Sequence, residues 1–347
     1  MRFLHPRLAT MLRSRPAALA AGAAVLVAVV VENQPHDEVL THPQSASAAS
    51  AIRADRRTAP APMRALQRRV EFADGSASQT GAPAVTADTG ILVDLDTRTI
   101  LWERNPHAAH APASTTKLVS TLVALENFAP DRQVTITPDA LHQAGDETVM
   151  GIHAGETYTV ADLLAGMLMI SGNDAATAMA VDTVGMDSFV AAMNAQMGAL
   201  GLHDSHFTTP VGLDDPAQLS SAYDLAAVAT VTGEMFPRFQ QLVSTIDMQL
   251  PAGNGHPGFQ LHNLNRLLSM YPPTVGDKPG YTGNAGPCLV AEAVRENHRL
   301  VAVLLSAPHL YSDMRQLLDW GFTRKGLPAT VTPPPAPPAP RGASPGR

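Results

Sequence analysis

The sequence contains one cysteine and three lysines among 347 residues, and both scarcities restrict what the protein can be. The single cysteine, Cys288, excludes an intrachain disulfide framework and a cysteine-based zinc site. It lies in an apolar run, which favours a buried core residue over a nucleophile. Charged residues make up only 16% of the chain and hydrophobic ones 45%, so a wholly disordered chain is excluded as well.

Positive charge is scarce in the central part of the chain. Residues 81–325 carry 12 basic and 25 acidic side chains, which argues against nucleic acid as a partner. Because arginine cannot be deprotonated, a lysine retained in so arginine-rich a sequence points to chemistry that needs an amine. The 13 histidines are not accompanied by a carboxylate or cysteine pattern, and we expect neither a metal nor a cofactor.

The two ends of the chain differ from its middle. Four arginines precede an apolar run at 16–31, so residues 1–31 are expected to be a signal peptide or an N-terminal membrane anchor, and the sequence leaves both open. Residues 32–82 predict a disordered linker rich in Ala, Ser and Arg, with one short helix near 63–72. Residues 327–347 form a proline-rich tail.

The remaining block, residues 83–326, predicts a single α+β domain. A β-hairpin is expected from Gly90–Asp96 and Ile100–Arg104, and two further strands at 287–294 and 299–306. Helices are predicted at 114–128, 160–170, 174–184, 187–200, 222–232 and 313–320. Strands at both ends with helices between them indicate an antiparallel sheet flanked by helices, with an inserted helical region.

The first chemical motif is Ser114-Thr-Thr-Lys117, at the start of a predicted helix. Residues i and i+3 share a helical face, so the Lys117 amine can reach the Ser114 hydroxyl. The free N–H groups of the helix start could stabilise an oxyanion. By itself the motif is weak, because serine is also a common helix cap.

Two further clusters strengthen this interpretation. Ser171-Gly-Asn173-Asp lies 57 residues downstream of Ser114, between two apolar helices, and could also be read as a pair of helix caps. Lys278-Pro-Gly-Tyr-Thr282 follows 107 residues after Ser171 in a strand-like segment, and could also be a Pro-Gly turn.

In this order and spacing, the three motifs resemble those of the penicillin-recognising serine enzymes. The flanking residues narrow the resemblance to the D-alanyl-D-alanine carboxypeptidases, the low-molecular-mass penicillin-binding proteins of serine peptidase family S11. Matching stretches include Phe207-Thr-Thr-Pro-Val-Gly-Leu-Asp-Asp215 and Asn263-Leu-Asn-Arg-Leu-Leu268, and the resemblance covers about residues 85–322. It implies a β-lactamase/transpeptidase-like fold.

The resemblance also implies roles for individual residues. The catalytic residues would be Ser114 as nucleophile, Lys117 as base and Ser171 as proton relay. Substrate would be bound by Asn173, Lys278, Gly280, Tyr281 and Thr282, with an oxyanion hole from the N–H groups of Ser114 and Tyr281. The implied ligands are peptidoglycan stem peptides and β-lactam antibiotics, and the implied location is outside the cytoplasm, facing the cell wall.

One departure from the family keeps two other functions open. Pro279 stands where the family normally has a threonine or serine that helps bind the substrate carboxylate, so the chain could be an attenuated cell-wall binder. A class A β-lactamase is the other alternative. It would require a Glu-x-x-Leu-Asn segment, and the only glutamate between Asn173 and Lys278 is Glu234, which is not in such a segment.

Overall fold

The computed structural model describes residues 63–75 and 79–329. The predicted signal or anchor at 1–31, most of the predicted linker and the tail beyond residue 329 lie outside the described residues. The strands are β1 Ala73–Asp74, β2 Thr89–Asp94, β3 Thr99–Arg104, β4 Gln133–Thr135, β5 Thr157–Thr159, β6 Asp247–Leu250, β7 Phe259–His262, β8 Lys278–Thr282, β9 Gly286–Arg295 and β10 His298–Leu305. The helices are α1 Lys117–Asn127, α2 Val160–Met169, α3 Asn173–Val181, α4 Met186–Leu200, α5 Ala222–Met235, α6 Pro237–Ser244, α7 Leu267–Met270 and α8 Leu310–Arg324.

A six-stranded sheet in the order β1-β3-β2-β10-β9-β8 organises the domain. All pairs are antiparallel except β1 with β3. The late strand β10 lies between the early strand β2 and β9, with Val301 opposite Val93. The predicted sharing of one antiparallel sheet by the two ends of the domain is therefore confirmed.

Alternation along the strands gives the sheet two apolar faces. In β2, Ile91 and Val93 pack into the core beneath the helices α1 to α6, whereas Leu92 packs into a second core with Trp102 and Leu317. Successive side chains of a strand point to opposite faces, so a strand buried on both faces reads as continuously hydrophobic. Helix α8 covers one face and the helical region the other, which confirms the predicted fold class.

The helical region begins and ends at residues with clear local causes. Helix α2 starts with a capping box, in which Thr159 and Asp162 exchange side-chain and backbone hydrogen bonds. Helix α5 starts at Ser221, whose hydroxyl accepts from the Asp224 N–H. Helix α1 is buried on every side from Lys117 to Ala124, as expected of a central helix.

The predicted linker is wrong over its last part. Val70 and Phe72 are buried in the main core, and β1 pairs with β3 at one edge of the sheet. The predicted helix near 63–72 is also wrong, because this segment has no regular secondary structure. The Phe72 N–H donates to Tyr223 Oη at 3.1 Å. The domain thus includes residues that we had assigned to the linker before residue 83.

A carboxyl group lies buried under the sheet edge. Asp277, next to Lys278, has no exposed surface, and neither of its carboxyl oxygens has a hydrogen-bond partner among the described residues. Burial, and then the negative charge of Glu292, raise the pKa of Asp277 well above its ordinary value, while Arg299 opposes the shift. The folded protein therefore disfavours the charged form of this carboxyl.

We expect Asp277→Asn to stabilise the protein at pH 7.5 by about 1–3 kcal/mol and to leave it nearly unchanged at pH 4. An acid whose pKa is raised on folding gives stability that is present at low pH and is lost as the pH rises. Asparagine is neutral throughout, so it escapes that loss. Denaturant unfolding from pH 4 to 8 measures the difference, with the exposed Asp139→Asn as control. Parallel curves for wild type and Asp277→Asn would show that Asp277 is ionised in the folded state.

Candidate active site

Ser114 lies in a 3₁₀ turn, Ala113–Thr116, that runs directly into α1. We had predicted that the α-helix begins at Ser114, but its first turn is the tighter form. In a 3₁₀ turn the side chains at i and i+3 eclipse, which brings the first and fourth residues of the motif together. Lys117 Nζ lies 3.0 Å from Ser114 Oγ.

The Lys117 amine is fully buried and surrounded by oxygen atoms. It lies 2.7 Å from Asn173 Oδ1 and 3.1 Å from the carbonyl oxygen of Val211. A neutral amine has two N–H donors and one lone pair. Because both of these oxygens can only accept, they take the two donors, and the lone pair is left for the Ser114 hydroxyl.

The pKa of Lys117 is held well below its ordinary value, as a general base requires. Burial is the largest cause, followed by the positive charge of Lys278, while Glu147 and Asp174 oppose the shift. The larger effect of burial depends on tertiary packing.

The Ser171-Gly-Asn173-Asp174 segment forms the connection between α2 and α3. Ser171 is buried with a backbone φ of 61°, and Asn173 is the first residue of α3. The alternative reading as a cap pair fails for Asp174. Its carboxylate instead accepts three backbone N–H groups of the loop at 150–152, at 2.7, 2.7 and 3.2 Å. This segment therefore fixes that loop beside the nucleophile.

Lys278 begins the edge strand β8 and is fully buried. Burial lowers its pKa to about 7, so its charge responds to what binds nearby. Its Nζ donates to the Pro279 carbonyl at 3.1 Å.

The backbone of β8 alternates between β9 and the cleft. The Asp277 N–H donates to Val290 O, so even-numbered residues of β9 face β8. Their partners in β8 are also even-numbered, which leaves the backbone groups of Pro279 and Tyr281 facing away from β9. Pro279 therefore costs no sheet hydrogen bond, and the Tyr281 N–H points toward the cleft.

Two glycines permit the close packing around Ser114. A Cβ at Gly280 would lie 2.9 Å from the Ser114 nitrogen, so strand β8 can approach the 3₁₀ turn only with glycine there. Gly212, at a φ of 88°, lies against the Ala113 carbonyl, and a Cβ would come within 1.9 Å of that oxygen. These approaches bring strand β8, with Tyr281 next to Gly280, close against the turn that carries Ser114.

The cleft has two lobes that meet at Ser114. One, the Lys278 lobe, encloses about 420 Å³ and is lined by Ser171, Lys278, Pro279 and Gly280, with Leu310 and Tyr311 of α8 on its outer wall. The other, the Asp214 lobe, encloses about 380 Å³ and is lined by Glu147, Asn173, Val211, Asp214 and Thr282. Tyr281 lines both. Seven of the eight predicted site residues thus line one cleft, and Lys117 lies beneath it against Ser114.

Three contributors were missed from the sequence. The Val211 carbonyl contacts Lys117, and the Asp214 carboxylate accepts from the Thr282 hydroxyl and from the Asn284 N–H. Glu147 accepts from Asn173 Nδ2 at 2.6 Å. Val211 and Asp214 lie in the stretch that carries the family resemblance, whereas nothing around Glu147 marks it. The Glu234 considered above lies elsewhere, paired with Arg68 and Arg98.

Comparison with known proteins agrees with this geometry. A family model described as D-alanyl-D-alanine carboxypeptidase, peptidase family S11, matches residues 76–309. D-alanyl-D-alanine carboxypeptidase DacB2 of Mycobacterium tuberculosis is 35% identical over 72% of this chain and 88% of its own. DacF of Bacillus subtilis is 33% identical over 73% of this chain and 66% of its own.

Solved structures give the same result. The crystal structure of a D-alanyl-D-alanine carboxypeptidase from Mycobacterium tuberculosis superimposes with a TM-score of 0.66 at 34% identity, over 71% of this chain and 95% of that one. The crystal structure of the Streptomyces K15 DD-transpeptidase superimposes with a TM-score of 0.66 at 27% identity, over 70% of this chain and 100% of that one.

The layered fold, with a Ser-x-x-Lys motif in the turn before its central helix, is that of the penicillin-recognising serine enzymes. Within that class, the family match covers most of the described domain. The chain belongs to the D-alanyl-D-alanine carboxypeptidase family, peptidase family S11, as the sequence motifs predicted.

We expect Lys117→Arg to abolish acylation of Ser114, with a loss of at least about 100-fold. The substitution keeps a cation, but a guanidinium cannot accept the serine proton near neutral pH. Stopped-flow or gel measurement of acylation by a fluorescent penicillin tests this, with circular dichroism to confirm folding. Acylation within about tenfold of wild type would mean that Lys117 is only a structural cation.

Proposed function

We propose that the protein is a serine D-alanyl-D-alanine carboxypeptidase that removes the terminal D-alanine from peptidoglycan stem peptides through an acyl-enzyme. The observation that carries this proposal is the buried Lys117 amine, 3.0 Å from Ser114 Oγ, with its other two contacts made to acceptors only. That arrangement is an activated serine with its base in place.

In the acylation step, Ser114 Oγ attacks the carbonyl carbon of the penultimate D-alanine, and Lys117 takes the hydroxyl proton. The N–H groups of Ser114 and Tyr281 stabilise the negative oxygen that forms. The close approach of β8 to the turn at Gly280, and the Tyr281 backbone facing away from β9, support this role.

In the second half of the step, the peptide bond breaks and D-alanine leaves with a proton. Ser171 relays that proton to the departing nitrogen, and Lys278 binds the terminal carboxylate. Both residues line the Lys278 lobe, so we assign this lobe to the leaving D-alanine. A carboxylate arriving there favours the charged form of Lys278, whose pKa of about 7 leaves it easily protonated. Water then hydrolyses the ester and releases the shortened peptide.

The Asp214 lobe holds the rest of the stem peptide. Asn173 binds a substrate amide there, and strand β8 presents the Tyr281 backbone groups to the peptide, with Gly280 leaving room beside Ser114. The Thr282 hydroxyl is already bonded to Asp214, so we assign it to fixing the loop at 211–214 over the substrate.

A cell-wall binder without catalysis and a β-lactamase remain less favoured. A binder would not need a fully buried lysine beside a serine, because burying an amine costs stability that only catalysis would justify. The glutamate that the class A β-lactamases place between the second and third motifs is absent here, since Glu234 lies outside the cleft.

We propose that the protein acts outside the cytoplasm, where stem peptides ending in D-alanine are found, and that residues 1–31 direct it there. The arginine-flanked apolar run supports this assignment. No helix within the described ranges is long and apolar enough to cross a membrane. N-terminal sequencing of the fractionated protein separates a cleaved signal from a retained anchor, and an intact cytoplasmic protein would contradict both.

The central test is intact-mass analysis after exposure to a penicillin. A strained lactam traps the nucleophile that the peptide substrate uses, so we expect one covalent adduct, on the peptide that contains Ser114. Ser114→Ala is the matched control and should show none. An adduct on another residue, or no adduct on folded wild-type protein, would overturn the proposed function.

We expect Pro279→Thr to raise kcat/KM on a peptide ending in D-Ala-D-Ala by about ten- to a hundredfold. Pro279 lines the Lys278 lobe, and a threonine there would add a hydroxyl that donates to the substrate carboxylate. Thr282 cannot supply it, since its hydroxyl is bonded to Asp214 in the other lobe. Steady-state release of D-alanine, alongside penicillin acylation as the less affected reaction, measures the change. An unchanged or lower value in a folded variant would show that the carboxylate is bound differently.

A further inference from the structure

Glu147 lies in the loop between the 3₁₀ turn Pro138–Leu141 and β5, and it lines the Asp214 lobe together with Ser114. Both oxygens of its side chain are engaged. Oε1 accepts from the Ala144 N–H at 2.7 Å, and Oε2 accepts from Asn173 Nδ2 at 2.6 Å. Both oxygens therefore act as acceptors in these contacts. None of the steps described above uses Glu147.

This carboxylate decides which way the Asn173 amide faces. A carboxylate can only accept, so it requires the NH2 side of the amide, which turns Oδ1 toward Lys117. The flipped amide would place Oδ1 against the carboxylate and lose this hydrogen bond. The Asn173 N–H also donates to Thr148 O at 2.8 Å, so main chain and side chain together join α3 to the Glu147 loop.

The orientation of Asn173 in turn decides where the Lys117 lone pair points. Asn173 Oδ1 and Val211 O are both acceptors, so a neutral Lys117 donates its two N–H groups to them. Its lone pair then points at Ser114. A flipped Asn173 would instead donate its NH2 to that lone pair. The amine would then be occupied as an acceptor and could not take the serine proton.

Glu147 also acts on Lys117 through its charge. The charged groups that affect the Lys117 amine are Lys278, Glu147 and Asp174, from β8, the loop and α3. Lys278 lowers the pKa of Lys117, and the two carboxylates raise it. The Asp174 carboxylate accepts from the N–H groups of residues 150–152. Glu147 instead contacts the Asn173 side chain, which in turn contacts Lys117.

We propose that Glu147 is a positioning residue for acylation: by accepting from the Asn173 amide it fixes the direction in which the Lys117 lone pair points. This inference rests on the proposed roles of Ser114 and Lys117. It assigns to the Glu147 loop a part in the reaction that none of the three sequence motifs indicates.

The test is the rate of Ser114 acylation by a penicillin from pH 5 to 9 in the full chain carrying Glu147→Gln. Glutamine offers both an oxygen and an NH2 group, so it accepts either orientation of Asn173. We expect the plateau rate to fall by about ten- to a hundredfold. Without the negative charge, the rise in rate with pH should move to lower pH. Asp139→Asn, which removes an exposed carboxylate outside the cleft, should match wild type in both respects.

Glu147→Asp separates the two effects and replaces Glu147→Gln if that variant does not fold. It keeps the charge but shortens the reach, so the plateau should fall while the rise with pH stays at the wild-type position. A Glu147→Gln profile equal to wild type in plateau and pH position would overturn the inference. So would unchanged acylation with slowed breakdown of the acyl-enzyme, since Glu147 would then serve the hydrolytic water. A wild-type protein that is never acylated would overturn the proposed function itself, and this inference with it.

Discussion

The contact between Lys117 and Ser114 requires an amine that is buried, uncharged and directed, and the surrounding structure meets each requirement separately. Burial comes from α1, which is enclosed on all sides. The direction of the amine lone pair is set by two acceptors on separate elements, Asn173 at the start of α3 and Val211 in the loop before α5. A buried amine without hydrogen-bond partners would lower the free energy of unfolding by several kcal/mol, so these two acceptors also reduce the cost of burying Lys117. Stability and chemistry depend on the same hydrogen bonds.

The sheet edge imposes the second constraint. Strand β8 has β9 on one side and the 3₁₀ turn on the other, and the spacing between strand and turn is set by glycine at 280. Any larger residue there would push the Tyr281 N–H away from the nucleophile. The same edge position makes Pro279 tolerable, because an edge strand has one side without ladder partners. Pro279, which we expect to weaken recognition of the substrate carboxylate, therefore leaves the strand intact.

The sequence predicted the sheet and most helices, because these follow from local periodicity. The eight site residues came from the family resemblance, and the structure brings them to one cleft. The wrong and missed predictions have a common physical origin. The chain around Val70 and Phe72 looked like a linker because its few apolar residues are recognisable as core only once α4 and α5 lie beside them. Glu147 and Asp277 were missed because their environments depend on contacts 15 to 26 residues away along the chain, namely Asn173 and Glu292. No pattern of residue types encodes such contacts.

The segment at 63–72, before β1, is attached to the domain at a point remote from Ser114. The Arg64 N–H donates to Asn127 Oδ1 at 2.6 Å, at the last residue of α1, whereas Ser114 lies just before its first. At 1.5 Å per residue, an 11-residue helix separates these points by about 16 Å. Arg64 thus contacts the domain at the end of α1 remote from Ser114. None of the described residues from 63 to 75 lines either lobe, so contacts made through this segment leave the cleft open.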